Sequence, residues 1–253
     1  MIESEIAYII VDDVSEVLQD IGGITTIMDY DIMPRRVFKI KDSYFDTNED
    51  ALKRKKINLR VRKTNSSLLL TMKSKSQHRS GRGVTRKEIE LEWSYESLAR
   101  IAHLLKMKIP HTMSREFSKP RPLRVLGEMG LREIQERHTN RDARNIVRHN
   151  KPRSAPLAEL DIDRVTFLGD TRVHVAQLEI EAKANESWRI VEEIGSTLQS
   201  VYQGSLREWR HGKLATGIAI QRLLTNGTLQ RHLEDGWLKK DGFPLLARAI
   251  VSQ

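Results

Sequence analysis

Four segments of the chain alternate apolar and charged residues, and each charged face carries mainly one sign. The segments are Ile57–Lys63, Glu88–Trp93, Leu157–Val165 and Gln177–Lys183. The acidic faces carry Glu88, Glu90, Glu92, Glu159, Asp161, Asp163, Glu179 and Glu181, and the basic face carries Arg60 and Arg62. Because successive residues of a strand point to opposite sides, a period of two predicts β-strands with one charged face.

The sorting of charge by sign limits what these faces can do. A sheet with one solvated face is the commoner explanation for any single alternating strand, but solvated surfaces usually intersperse both signs. Like charges side by side repel, carboxylate groups bind hard divalent cations, and guanidinium groups bind phosphate. A sheet closed into a barrel would enclose both sets. The pattern therefore favours a metal–polyphosphate ligand inside a barrel.

The composition agrees with an anionic ligand without identifying it. The 253 residues carry 43 Lys+Arg against 34 Asp+Glu, a net charge of +9, which suits nucleic acid, a phosphate compound or an acidic surface. The absence of Cys excludes disulfides and thiolate zinc sites. No segment is long and apolar enough to span a membrane, and the first residues lack a signal-peptide pattern, so we predict a cytoplasmic protein without a membrane partner.

The remaining patterns predict an α+β fold. We expect further strands at Ile2–Val11 and Leu123–Glu136, and helices at Ser97–Lys106 and Glu186–Val201. From about Trp209 the apolar spacing is helical. The predicted architecture is a closed antiparallel β-barrel, or tunnel, flanked by helices. Its domains would be residues 1–210 for the barrel and 211–253 for a C-terminal helical extension.

A series of short motifs occurs in a recognisable order. The motifs are Glu3 and Glu5; Tyr44-Phe45-Asp46-Thr47; Arg60-Val61-Arg62; Leu70-Thr71-Met72-Lys73; Arg86, Glu88 and Glu90; Asp163-Arg164; and Glu179-Ile180-Glu181. In this order they resemble the CYTH superfamily, the triphosphate tunnel metalloenzymes, over roughly residues 1 to 210.

The resemblance implies a set of site residues. The implied ligands of Mg²⁺ or Mn²⁺ are Glu3, Glu5, Glu179 and Glu181, assisted by Asp163 and Glu90. The implied substrate-binding residues are Arg60, Arg62, Lys73, Arg86 and Arg137. Among these residues, the resemblance assigns catalysis to Glu5, Lys73 and Arg60.

Two departures from the family pattern leave the activity open. Ala7 and Leu206 stand where the family has lysine, and Arg207, Arg210 or Lys213 could substitute. We expect hydrolysis of inorganic triphosphate or a small organic triphosphate such as thiamine triphosphate. A binding module without turnover and a class IV-type adenylate cyclase are the alternatives. No base-reading motif is present, which disfavours a nucleic-acid partner, and a homodimer stays open.

Overall fold

The strands dominate the fold. The computed structural model describes residues 2–65, 67–74, 77–78, 83–110, 121–184 and 187–252, with the backbone alone at residues 2, 3, 77 and 78. The strands are Ile2–Ile10 (β1), Thr26–Ile27 (β2), Tyr30–Ile32 (β3), Arg36–Thr47 (β4), Asn58–Lys63 (β5), Leu68–Lys73 (β6), Gln77–His78 (β7), Val84–Glu92 (β8), Leu131–Arg148 (β9), Ala158–Phe167 (β10), Val173–Ala182 (β11), Leu206–Glu208 (β12), Leu233–Glu234 (β13) and Trp237–Leu238 (β14). The helices are Val14–Gly23 (α1), Ala51–Arg54 (α2), Tyr95–Leu105 (α3), Pro122–Glu128 (α4), Trp188–Val201 (α5), Lys213–Thr225 (α6) and Gly242–Val251 (α7).

Eight of the strands close into an antiparallel barrel. The order around the barrel is β1, β8, β6, β5, β4, β9, β10 and β11, and β11 pairs again with β1. The predicted closed barrel flanked by helices is therefore confirmed.

The register decides which residues face the interior. Glu5 lies opposite Glu181 and Ala7 opposite Glu179, while on the next strand Asp161 lies opposite Glu179. Since residues two apart share a face, these positions form one polar interior surface. The charged faces recognised in the sequence thus point inward.

Two apolar clusters cover the outer surface of the barrel. Helices α1 and α5 pack on β1, β10 and β11, where Ile6, Leu160 and Ile180 are buried. Helices α3 and α4 pack on β5 and β6, with Leu98 and Ile101 buried. Fully burying a side chain of this size contributes about 1.5–3 kcal/mol, so these clusters stabilise the barrel from outside.

A third cluster lies on the interior face at one end of the barrel. Ile9, Val165 and Val175 continue the faces of Ala7, Asp163 and Gln177, and they pack against α6 and α7. The barrel interior is therefore apolar at this end and charged beyond it. The C-terminal helices pack on the apolar part.

The predicted strand Leu123–Glu136 is wrong in its first half. That half is the helix α4, which begins at Pro122 and ends before Gly130, whose φ is +81°. Proline is preorganised for the first helical position, and glycine adopts the left-handed conformation that terminates helices. These two signals override the apparent alternation, and β9 starts only at Leu131.

The region after Trp209 is less uniformly helical than predicted. A two-residue turn at Asp235-Gly236 joins β13 to β14, and both residues have positive φ. Asp-Gly is a favoured sequence for such hairpin turns, because glycine tolerates positive φ. The short hairpin separates α6 from α7.

Candidate functional site

The barrel encloses a cavity of about 680 Å³ lined largely by charged side chains. Its basic residues are Arg60, Arg62, Lys73, Arg86, Arg100, Arg137, Arg141, Lys183, Arg210 and Lys213. Its acidic residues are Glu5, Glu88, Glu90, Glu159, Asp161, Glu179, Glu181 and Glu208. The two signs concentrate on different strands, so the cavity has a basic half and an acidic half.

The basic half is built around a single buried carboxylate on β4. Asp42 accepts hydrogen bonds from Arg62 Nε at 2.7 Å and from Arg137 Nη2 at 2.7 Å. Arg60 Nε lies 3.7 Å from the same carboxylate. Although burial opposes ionisation, these three arginines hold the pKa of Asp42 well below its ordinary value. Asp42 thus stays ionised and fixes the arginines.

Further contacts orient Arg60 across β6 and β8. Its Nη2 lies 3.2 Å from Thr71 Oγ1 and 3.3 Å from Glu90 Oε2. Lys73 Nζ lies 3.1 Å from Glu88 Oε2. The predicted phosphate-binding residues Arg60, Arg62 and Lys73 therefore lie together on one side of the cavity.

The acidic half is organised around Arg141 on β9. Its guanidinium donates to Asp163 at 2.8 and 2.7 Å and to Glu179 at 2.9 Å, and it also pairs with Asp161. Residues of three adjacent strands thus meet at one guanidinium. The sequence motifs gave no indication of this central position for Arg141.

The pKa values of two neighbouring carboxyl groups in this half are shifted in opposite directions. Burial raises the pKa of Asp161 to about 8, and the nearby carboxylates act in the same direction, whereas Arg141 opposes the shift. For Glu179 burial also opposes ionisation, but Lys213 and Arg141 hold its pKa below the ordinary value. The acidic half therefore contains one carboxyl group whose pKa is raised by burial and one whose pKa is lowered by neighbouring cations.

Lys213 reaches this half from the first residue of α6. Its Nζ contacts Glu179 and lies 3.2 Å from Asp163 Oδ2. The chain passes Ala7 immediately before α6, where the Trp209 N–H donates to the Ala7 carbonyl at 2.8 Å. Among the substitutes considered for the family lysine, Lys213 contacts Glu179 and Asp163, whereas Arg210 pairs with Glu208. Leu206 lies in the outer apolar cluster instead.

The remaining predicted residues divide by position. Glu5 and Arg86 pair at 2.7 Å on the cavity wall, and Glu181 pairs with Lys183 at 2.9 Å. Asp163 is fully buried beneath Arg141 and Lys213 and does not line the cavity. Glu90 lies in the basic half beside Arg60. The side chain of Glu3 lies outside the described residues.

The donor chemistry of the acidic half fits a hard divalent cation. Glu5, Glu179, Glu181 and Asp161 occupy adjacent interior positions. Asp161 Oδ1 is buried and has no hydrogen-bond partner in the part of the chain that the structure describes. Among the described residues, no three His, Asp or Glu side chains are already gathered in a metal-holding group. Bound cation would compete with Lys213, Arg86 and Lys183 for the carboxylate oxygens.

The CYTH domain model matches residues 21–208 of this sequence, which is more than half of the chain. The chain belongs to the CYTH domain family. No curated protein sequence matches this family member.

Solved structures of other proteins share its fold, among them the following two. A putative adenylyl cyclase from Hippeastrum, reported to have a dominant triphosphatase activity, is 18% identical with a TM-score of 0.53; the match covers 90% of this chain and 97% of that one. A protein from Pyrococcus horikoshii is 18% identical with a TM-score of 0.50, covering 87% of this chain and 99% of that one. At this identity the likeness concerns the fold alone.

No helix in the described part of this CYTH protein has the length and apolar character needed to cross a membrane.

Proposed function

We propose that this chain binds a triphosphate compound with a divalent cation in the barrel cavity and hydrolyses its terminal phosphoanhydride bond. The observation that carries the proposal is the juxtaposition of a basic and an acidic half in one cavity. Membership of the CYTH family supports it, as does the triphosphatase activity reported for the Hippeastrum protein. The substrate class is inorganic triphosphate or a small organic triphosphate.

The basic half would orient the phosphate chain. Arg60, Arg62 and Lys73 offer several N–H donors on one wall, and guanidinium groups match phosphate oxygens in pairs. Because Asp42 and Thr71 hold the arginines in place, little reorganisation is needed as charge develops on the phosphoryl oxygens. We assign these residues to substrate binding and stabilisation of the transition state.

The acidic half would hold the cation. We assign Glu5, Glu179 and Glu181 as ligands together with Asp161, and retain Glu3 as a candidate from the sequence. Mg²⁺ or Mn²⁺ in this position would offset negative charge on the phosphate oxygens. Asp163, which is buried under Arg141 and Lys213, would hold these two basic side chains in position.

The hydrolytic step requires a proton acceptor and a leaving group. We assign Glu5, on the cavity wall, to accept the proton as water attacks the terminal phosphorus. The bond from that phosphorus to the bridging oxygen breaks, and the bridging oxygen takes the electron pair. Lys73 and Arg60 would stabilise the negative charge on the phosphate groups through hydrogen bonds.

One observation favours a second candidate function, binding without turnover. Ala7 lies directly opposite Glu179 and supplies no cation from β1. If a lysine at this position is needed for turnover, Ala7→Lys will produce phosphate release that the wild type lacks. If Lys213 already suffices, Ala7→Lys will leave the rate the same or lower it.

The test is product analysis by ³¹P NMR. Inorganic triphosphate, thiamine triphosphate and ATP are each incubated with the protein and Mg²⁺, Mn²⁺ or chelator. Orthophosphate that appears only with a cation supports the proposal and ranks the substrates. Pyrophosphate with cyclic AMP from ATP would identify a cyclase, and binding of all three compounds without product would leave the binding module.

A further inference from the structure

The outer face at the middle of β4 and β9 carries no helix among the described residues. Helices α1 and α5 pack over β1, β10 and β11, and α3 and α4 pack over β5 and β6. Between these two groups Val37 on β4 is 55% exposed, and Lys39 and Lys41 on the same face are exposed as well. His138 and Asn140 are the exposed outward residues of β9 beside them. This part of the sheet is therefore accessible to a partner.

The strand register arranges basic and polar side chains of this surface in two rows. In one row Lys41 lies directly between Lys63 on β5 and His138 on β9. In the other row Asn140 lies between a lysine of β4 and an arginine of β10. We call the residues of the two rows the open sheet face: Lys39, Lys41, Lys63, His138, Asn140 and Arg164. Neighbouring strands are about 4.8 Å apart, so each row spans roughly 10 Å and suits an extended anion.

Three cations of the open sheet face have no carboxylate partner within the described part of the chain. Lys39, Lys63 and Arg164 are exposed and form no ion pair there. The carboxylates of Glu136 and Asp142, which border the face, already form ion pairs. Like charges on adjacent strands repel, so a bound anion would stabilise this arrangement.

The charges of the barrel cavity do not account for the net charge of the chain. The cavity lining contains ten basic and eight acidic side chains, and the buried Asp42 and Asp163 beside it add two carboxylates. The cavity is therefore balanced, whereas the chain carries a net charge of +9. The surplus lies on other residues, among them the three unpaired cations of the open sheet face.

Aromatic rings lie where one row of the face ends. Beyond His138 the row continues to Thr166 on β10 and His174 on β11. The ring of His174 lies 5.4 Å from that of Trp237, and both residues are only half-buried. Unstacked bases of a single strand stack on rings of this kind, and its phosphates pair with lysine and arginine. Cations and rings on one surface favour single-stranded nucleic acid over an acidic peptide.

We propose that the open sheet face binds single-stranded nucleic acid through its phosphate backbone. Lys39, Lys63 and Arg164 donate hydrogen bonds to phosphate oxygens, and a base contacts the rings of His174 and Trp237. Contacts to phosphate carry no sequence information, which agrees with the lack of a base-reading motif in the sequence. The face lies on the outside of the barrel, so this binding does not depend on the reaction proposed for the cavity.

The test is fluorescence anisotropy of a labelled oligouridylate of about 20 nucleotides, titrated with the intact chain in chelator at several salt concentrations. A 5′-hydroxyl end ensures that the probe offers no triphosphate to the cavity. The triple variant Lys39→Gln, Lys63→Gln and Arg164→Gln should bind at least about tenfold more weakly than the wild type at about 0.1 M salt. The slope of log affinity against log salt should become shallower by about two, because phosphate contacts are lost.

The matched control removes the same charge from another exposed basic segment. It carries Lys53→Gln, Lys55→Gln and Lys56→Gln, in the connection from β4 to β5. Affinity in this control should stay within about threefold of the wild type, since only long-range attraction changes. All the replaced side chains are exposed, and circular dichroism checks that both variants fold.

Three results would overturn the inference. Equal weakening in the two triple variants would show that binding follows overall charge, and a wild type that does not bind the oligonucleotide at low salt would remove the site. Tighter binding of polyglutamate or of phosphatidylserine vesicles than of the oligonucleotide would indicate an acidic protein or a membrane surface instead. Phosphate release from inorganic triphosphate is a separate measurement, and its absence would contradict the proposed function alone.

Discussion

The two halves of the cavity accommodate buried charge in opposite ways. In the basic half several arginines surround one carboxylate, Asp42, which they keep ionised. In the acidic half several carboxylates surround Arg141, and one of them, Asp161, has its pKa raised to about 8. Both arrangements arise from strands that alternate with a period of two. In each half, one residue of the opposite charge lies at the centre and holds the surrounding charged side chains in place. That residue is Asp42 in the basic half and Arg141 in the acidic half.

Among the substitutions that test this comparison, removal of the Asp42 carboxylate should have the largest effect on stability. Asp42→Ala leaves Arg62 and Arg137 buried without their shared partner, and we expect a loss of about 3–5 kcal/mol in the free energy of unfolding. Urea denaturation followed by circular dichroism measures it. Asp12→Ala is the matched control, because Asp12 also pairs with a basic side chain, Lys240 at 2.7 Å, but both side chains are nearly half exposed. Its loss should be much smaller; equal losses would contradict the central role of Asp42.

Replacement of Lys213 should have the next largest effect, on the pKa of Glu179 and on the catalytic rate. Lys213→Met removes a cation from Glu179, so the pKa of Glu179 should rise and the acid limb of the pH–rate profile should move to higher pH. We expect kcat/KM to fall by roughly tenfold to a hundredfold, corresponding to about 1.4–2.7 kcal/mol. Lys240→Met controls for charge in the C-terminal segment, since Lys240 pairs with Asp12 at an exposed position. A KM change without a pH shift would assign Lys213 to binding alone.

The two halves should respond oppositely to pH in metal-free buffer. The lowered pKa of Asp42 contributes stability above its unfolded pKa of about 3.9, and this stability is lost as pH falls through the folded value. The raised pKa of Asp161 contributes stability that is full below its unfolded pKa and declines as pH rises toward about 8.

Asp161→Asn isolates the second effect. It should remove this decline, so that between pH 5 and about 8 the variant loses less free energy of unfolding than the wild type does, by up to about 1.4 kcal/mol for each pH unit. Denaturation at several pH values measures the difference. Parallel pH profiles for the two proteins would show that Asp161 is ionised at neutral pH in the folded state.

A surface pair provides the smallest expected effect. Arg124 and Glu128 pair at 3.0 Å along α4, with the arginine side chain 54% exposed. Exposed pairs of this kind contribute little because solvent and salt screen them, so Arg124→Ala should change the free energy of unfolding by less than about 0.5 kcal/mol. The same denaturation measurement tests it, and a larger loss would show that α4 depends on the pair.

The sequence is informative about some strands of the site more than about others. Alternation identifies the inward residues Arg60, Arg62, Glu179 and Glu181, because the opposite face of each strand is apolar and packs under helices. The same signal fails for β9, where His138 and Asn140 are exposed on the outer face. With both faces polar, no alternation shows that Arg137 and Arg141 point inward.

Other site residues depend on tertiary structure. Asp161 belongs to the same alternating set as Asp163, but only the register shows that it lines the cavity while Asp163 is buried beneath Arg141. Lys213 is placed by the passage of the chain beside Ala7 and by packing of α6 on the apolar end of the barrel. Neither relation can be recognised from local spacing.

The central claim is that the acidic half holds a cation for hydrolysis of a triphosphate bound in the basic half. The most direct measurement compares phosphate release from inorganic triphosphate with Mg²⁺ and Mn²⁺ by the wild type, Glu179→Gln and Glu136→Gln. Glu136 is the control because it pairs with Lys41 on the outside of the barrel. The account predicts cation-dependent release that Glu179→Gln loses by at least about a hundredfold and Glu136→Gln retains. Release that needs no cation, or that Glu179→Gln retains, would contradict it.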